Sequence, residues 1–447
     1  MIARPTAGAP RPYRFPDVVR HTLPNGLGVW FVPLPERELV SVHLLTDAGA
    51  AAEDEAQAGV AALAAQLLVT GTRSLDAAAF AEATERLGID VSSESSWDSA
   101  RAAFVALGHH LEAGLELLAE MIVAPRLDEG EFDRLKAERL NDILQARAEP
   151  GRLADERFLG QVFAEGVPYG RLSAGRPETI EPLTIDAVRA FHSTRYAPNV
   201  ADVIVAGGFD PDTALDAIER HLGGWGGAGP GHRSIDPAQR GGRRVVVVDR
   251  PGSVQSELRV GHLGIDRHDA RYFPAMVMAA LLGGVFGSRL NRRLREELGY
   301  TYGARCSFDP RRAVGPFTAT AAVQTEVTAD AVRELLGQLE SVRGTPPGED
   351  ELAEVRDFLV GIFPLRFEST AGIAAAIEPL AVYDLPDDWW HAYRSRLEAV
   401  TPEDVLRVAD ELIRPDEALV LVVGDASKVA DELRSVELGP VEVVSAS

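Results

Sequence analysis

Short, strongly apolar runs open the chain, and runs of the same kind recur past its midpoint. HTLPNGLGVWFVP followed by SVHLLTDAG reads as a strand pair, and RRVVVVDRP followed by SELRVGHLG reads as a second. Each pair leads into an apolar helix, over residues 57–69 in the first half and 273–284 (FPAMVMAALLGG) in the second. Longer helical stretches follow at 127–149 and 348–370. The halves also end alike. A helix capped by Thr184 or Thr401 gives way at a proline to a buried strand, VIVAG or LVLVVG. A Gly-Asp-type turn and an amphipathic helix come next. One shared motif could arise by chance, but the same order of elements twice points to duplication. The pattern therefore predicts an α+β fold of two homologous halves. Each is a mixed, largely antiparallel sheet packed against helices, with the halves related by a pseudo-two-fold.

Between them, GGWGGAGPGHRSIDPAQRGGR has no apolar period and is dense in Gly and Pro, which reads as a linker. The expected division is residues 1–222, a linker at 223–243, and residues 244–447. A chain of 447 residues is in any case too long for one hydrophobic core.

Composition narrows the function classes. Hydrophobic residues make up 46% and charged residues 25%, ordinary for a globular protein. The 68 acidic side chains against 45 basic ones leave a formal charge of −23, which repels a phosphate backbone and attracts a basic peptide. Nucleic acid is therefore not an expected partner. The N-terminal MIARPTAGAPRPYRFPDVV lacks the apolar core of a secretory signal, and no run approaches the length of a membrane span. Cys306 is the lone cysteine, so no internal disulfide forms. A cytoplasmic location, without membrane association, is the expectation.

GVAALAAQLLVTGT, residues 59–72, taken alone is a core helix with a glycine before it and a Gly-Thr turn after it. In its setting it resembles the pitrilysin/insulinase zinc peptidases, the inverzincins, and in particular their processing-peptidase-like branch. The likeness runs from His21 to Val436. In active members this helix carries H-x-x-E-H, two histidines that hold zinc and a glutamate that activates water. Here the resemblance sets Ala62 and Gln66 where the histidines stand and Ala65 where the glutamate stands. The distal glutamate ligand falls on Asp142 in NDILQARAEP. Alanine has no donor atom and an amide is a poor zinc ligand. The resemblance thus implies a peptidase scaffold with a degenerate metal site and no cofactor of its own. The remaining histidines offer no replacement. His109 and His110 lie beside Glu112 without a second histidine at helical spacing, and His262 and His268 are read as isolated surface or capping residues.

The second half carries LLGGVFGSRLNRRLREELGYTYGARCSF, residues 281–308. It resembles the family segment in which a Gly-rich turn leads to L-R-E-x-x-G and a strand tyrosine. Arg295 and Tyr302 match the family's arginine and tyrosine, which reach substrate held in the opposing half or subunit. Apart from the resemblance, Arg295 reads as a helix residue paired with Glu296 or Glu297, and Tyr302 as packing on its sheet. Tyr300 stands where the family has an apolar residue. The physical logic for the pair is that a phenol or guanidinium stabilises charge developing on a peptide carbonyl oxygen. Gly283, Gly284 and Gly287, with Ser288, would let an extended peptide approach the backbone.

The resemblance implies a catalytically incomplete subunit of a heterodimeric zinc peptidase. Its partner would be a homologue bearing H-x-x-E-H and the zinc, and its substrates peptides bound as an added strand. Two other readings remain open: an inert structural subunit, like the respiratory core proteins on this scaffold, or a clamp that holds peptides without cleaving them.

Overall fold

A computed structural model describes residues 12–446; the segment 1–11, most of the stretch read above for a secretory signal, lies outside the described residues. Two six-stranded mixed sheets form. The first is built from β1 (Val19–Thr22), β2 (Gly28–Pro33), β3 (Leu39–Thr46), β4 (Asp90–Ser95), β5 (Ala100–Leu107) and β6 (Ala201–Gly207), in the order β1-β2-β6-β3-β5-β4. The second uses β7 (Arg244–Asp249), β8 (Gln255–Leu263), β9 (Thr301–Phe308), β10 (Pro316–Gln324), β11 (Leu419–Gly424) and β12 (Val441–Ser445), in the order β12-β7-β11-β8-β10-β9.

The five shared positions match in order and in direction. β2 runs parallel to β6, as β7 does to β11. The pairs β3–β6, β3–β5 and β4–β5 are antiparallel, as are β8–β11, β8–β10 and β9–β10. Only the outer strand departs from the repeat, since β1 is antiparallel to β2 and β12 parallel to β7. Two α+β halves of common topology are what the duplicated pattern requires. The helix starts also fall where the caps place them. Thr184 accepts the Ala187 N–H, Thr401 that of Asp404, Asp210 that of Thr213 and Asp425 that of Ser427.

The long helices behave less simply. Residues 348–370 read as one helix, but the helix stops short of that. Glu349–Ile362 ends before Pro364, a short 3-10 turn follows, and Thr370–Val382 begins behind the Ser369 cap. Proline lacks an N–H and clashes with the preceding turn, which disfavours carrying the helix on through Pro364. The first half does the same at Pro150, where Glu129–Ala148 gives way to Pro150–Val162.

The helix after each break crosses over. Pro150–Val162 packs on β8 and β11 of the second sheet, and Thr370–Val382 packs on β3 and β6 of the first. Leu153, Phe158 and Val162 share a core with Val246, Val248, Leu421 and Val423, while Val245 and Val247 face the second half's own helices. Strand residues alternate faces, so VVVV must be apolar throughout because both sides are covered. The stretch 223–243 forms no helix and only an isolated bridge, Phe163 to Gln239. Trp225 at its start is buried in the first half's core.

Candidate functional site

Helix Val60–Leu68 is the place of the degenerate motif. Gly59 precedes it with φ +102°, a left-handed conformation that favours glycine, and a Cβ there would lie 2.3 Å from Ile180 Cδ1. The buried Glu53 carboxylate closes the helix start, accepting the Gly59 N–H at 3.0 and 3.1 Å and the Ala61 N–H at 2.7 Å. Burial pushes this carboxyl up to about 8, against the pull of the Ala61 and Gly59 N–H groups and the Arg171 guanidinium.

Ala62 and Ala65 are buried, Gln66 is half-buried, and Asp142 lies exposed on Glu129–Ala148. Two methyl groups, an amide and one distant-helix carboxylate do not fit a zinc ion, which takes imidazole, thiolate or carboxylate donors in a tight tetrahedron. Among the described residues no three His, Cys, Asp or Glu side chains converge elsewhere.

Of the other histidines singled out in the sequence, His268 is exposed, as a surface residue. His109 and His110 lean on each other with centroids 4.1 Å apart, and Glu112 turns to Arg220 and His221 instead. His262 corrects the expectation of a surface or capping residue. It is fully buried, its Nδ1 lies 2.8 Å from the Leu263 carbonyl, and its Nε2 accepts the Arg414 N–H at 3.0 Å. Burial drives its pKa down to about 4, which leaves a neutral ring as an acceptor. The sequence offered no sign of this, because the partner Arg414 comes from the far end of the chain.

Two buried polar knots between the halves were also missed. His43 Nδ1 meets Glu378 Oε1 at 2.5 Å, Arg101 Nη1 donates to the same oxygen at 3.1 Å, and Ser41 Oγ lies 3.2 Å from His43 Nε2. Burial alone would raise the Glu378 carboxyl, but His43 and Arg101 hold it below the ordinary range. The Ser-His-Glu order has the connectivity of a hydrolytic triad, yet Ser41 is fully buried, so no substrate reaches it. In the second knot Asp98 accepts from Tyr169 at 2.5 Å, from the Arg312 N–H at 3.1 Å and from Tyr383 at 3.3 Å. These are ties that hold crossing elements together.

The second-half segment is where unsatisfied chemistry faces out. The helix Tyr272–Ala279 widens into a π-helical turn at Ala280–Gly284, and a second π-helical turn, Asn291–Glu297, carries Arg295. Such turns are rare and cluster at functional sites. Asn291 is the pin of this region. Its Oδ1 accepts the Ala304 N–H at 2.9 Å, and its Nδ2 donates to the Val285 carbonyl and Ser288 Oγ, both at 3.2 Å. Gly283 is buried against β9, where a Cβ would lie 2.5 Å from the Cys306 nitrogen, and Ser288 is buried beside Asn291. The close approach that Gly283 permits is therefore that of its own strand. Gly284 and Gly287 are the exposed members of the expected peptide-facing set.

Tyr302 sits on β9, the edge of its sheet, and is 94% exposed with no hydrogen-bond partner among the described residues. It does not pack on the sheet. Tyr300, two residues earlier, is the one that packs on the core. The one ionic contact of Arg295 among the described residues is a loose one to Glu296, 3.6 Å, while Glu297 pairs with Arg293. Cys306 is buried and free.

Residues 32–168 match the model of the insulinase family, peptidase family M16, and residues 182–359 that of the peptidase M16 inactive domain. A Mycobacterium bovis protein named an uncharacterized zinc protease is 26% identical over 400 residues, 88% of this chain and 90% of that protein. A Helicobacter pylori protein named a non-peptidase homolog is 24% identical over 337 residues, 73% of this chain and 76% of that one. The crystal structure of a peptidase M16 inactive domain from Pseudomonas fluorescens has a TM-score of 0.85 at 26% identity, covering 91% of this chain and 98% of that one.

Proposed function

Since the chain belongs to the insulinase family, peptidase family M16, we propose that it is the non-metal-binding subunit of a heterodimeric peptidase. Its partner would be a homologue that supplies H-x-x-E-H and zinc. Arg295 and Tyr302 act in trans on peptide bound in that partner's half. The observation that carries this reading is the exposed, unpartnered Tyr302 hydroxyl on an edge strand, a few residues from an arginine with unused donors. A phenol in that state donates to a carbonyl oxygen as negative charge gathers on it, and a guanidinium edge orients neighbouring peptide carbonyls. Peptide enters as an added strand, with Gly284 and Gly287 lining its path.

The inert-scaffold reading draws support from the Helicobacter relative named a non-peptidase homolog. Kinetics of the assembled heterodimer separate the two. Tyr302→Phe should lower kcat on the order of 10²-fold, as for loss of one oxyanion donor. Arg295→Ala should impair both KM and kcat. Both variants should form the complex normally. An intact complex with unchanged kcat/KM in both would leave this chain as architecture, and failure to associate with any H-x-x-E-H homologue would remove the heterodimer itself.

A further inference from the structure

Phe286 is the apex of the Gly-rich loop, between Val285 and Gly287, and it is 72% exposed. A ring so placed adds little to the core, since most of its apolar area stays in water. The loop beneath it is nonetheless fixed. The Val285 N–H donates to the Ala280 carbonyl at 3.2 Å, the Ser288 N–H to the Val285 carbonyl at 3.1 Å, and Asn291 holds both ends. What the ring does touch is Arg295. The guanidinium carbon lies 3.7 Å from the ring centroid, within the range of a close cation–π stack.

The stack and the function assigned to Arg295 use different parts of the same group. Stacking engages the flat face of the guanidinium and leaves its N–H donors, which lie in the plane, pointing outward. None of those donors makes a hydrogen bond to another described residue; the Glu296 carboxylate at 3.6 Å is beyond hydrogen-bond range. Arg293, two residues earlier, shows the alternative fate of an arginine on this turn. Its donors are consumed by Glu334 and Glu297. Stacked by its face and with its side chain 25% exposed, Arg295 keeps N–H donors that no other described residue takes and that can meet peptide carbonyls.

We infer that Phe286 is a positioning residue for Arg295, its ring fixing the guanidinium plane so that the free edge meets peptide. This rests on the reading of Arg295 as a peptide-binding group. The test has two arms. In the full chain alone, rotation of the Arg295 guanidinium about Nε–Cζ, followed by nitrogen exchange NMR, should quicken about two- to fivefold in Phe286→Leu and stay at the wild-type rate in Phe286→Tyr, which keeps the ring face. In the reconstituted heterodimer, with fluorescein-labelled unfolded casein as the probe, Phe286→Leu should raise KM by about the same factor, more than it lowers kcat. Phe286→Tyr should restore it, and Phe286→Leu should add nothing once Arg295→Ala is present. Unchanged rotation and KM in Phe286→Leu, beside an impaired Arg295→Ala, would overturn the inference and leave the reading of Arg295 standing. A Phe286→Leu defect that persists in full on the Arg295→Ala background would show that the ring acts on its own. A silent Arg295→Ala, or no complex to assay, would take down the reading of the site and this inference together.

Discussion

At residue scale helix Val60–Leu68 presents two methyl groups and an amide at Ala62, Ala65 and Gln66. Ala62, Ala65 and Gln66 supply neither ligands nor a base, so elemental analysis of the purified chain should find far less than one zinc per molecule after dialysis. A tightly held equivalent of zinc would overturn that. Beside them, Glu53 makes the helix start sensitive to pH. Its folded pKa, about 8, stands above the unfolded value of about 4.3. The folded state thus holds this proton more tightly than the unfolded chain, and its contribution to stability is present below the unfolded pKa and lost as pH rises through about 8. Glu53→Gln mimics the neutral carboxyl and should remove that slope. Urea midpoints compared between about pH 5 and pH 9 should show the wild type falling relative to the variant. Parallel pH profiles would show that the Glu53 carboxyl does not change its protonation on folding.

At the scale of elements, the loop, the π-helical turn and the edge strand form one unit pinned by Asn291. Asn291→Ala strands the buried Ala304 N–H and should cost about 1–3 kcal/mol. Gly283→Ala drives a methyl against the Cys306 backbone nitrogen, which cannot swing aside as a side-chain tip can, for a cost of about 1–3 kcal/mol. Gly287→Ala meets nothing within 4 Å and should unfold with the wild type. Thermal denaturation of the three variants checks the ranking. A Gly283→Ala protein as stable as Gly287→Ala would mean that the strand is not held as closely as its geometry indicates.

For the whole molecule, the crossing of Pro150–Val162 and Thr370–Val382 makes each sheet depend on the other half. Every large side chain that either helix buries across the boundary contributes about 1.5–3 kcal/mol, and Leu153, Phe158, Ile373 and Ile377 are all buried there. Residues 1–222 and 244–447, produced apart, should therefore fail to unfold cooperatively, and co-production should recover the fold. Cooperative unfolding of either piece alone would show that the exchanged helices are dispensable. Among the described residues no single helix is long and apolar enough to cross a membrane.

The repeat was legible in the chain because it is written in local signals. Alternating and continuous apolar runs, threonine and aspartate caps, and prolines after helices act over a few residues, and both halves repeat them in order. The frame of the Ala62–Gln66 helix and the segment bearing Arg295 and Tyr302 stood out only through their resemblance to a family, since taken alone they read as ordinary helix and strand. Other features required the tertiary structure. That the helix read over 348–370 stops at Ile362 follows from Pro364, but where the next one, Thr370–Val382, goes depends on a sheet built hundreds of residues earlier. Taken alone, Tyr302 reads as packing on its sheet; only the assembled sheet, with β9 at its edge, leaves it in solvent while Tyr300, just before the strand, packs on the core. His43 and Glu378, Arg414 and His262, and Phe286 over Arg295 meet through folding alone. A side chain's partners are set by where distant segments come to rest, and hydrophobic patterning along the chain carries no record of that.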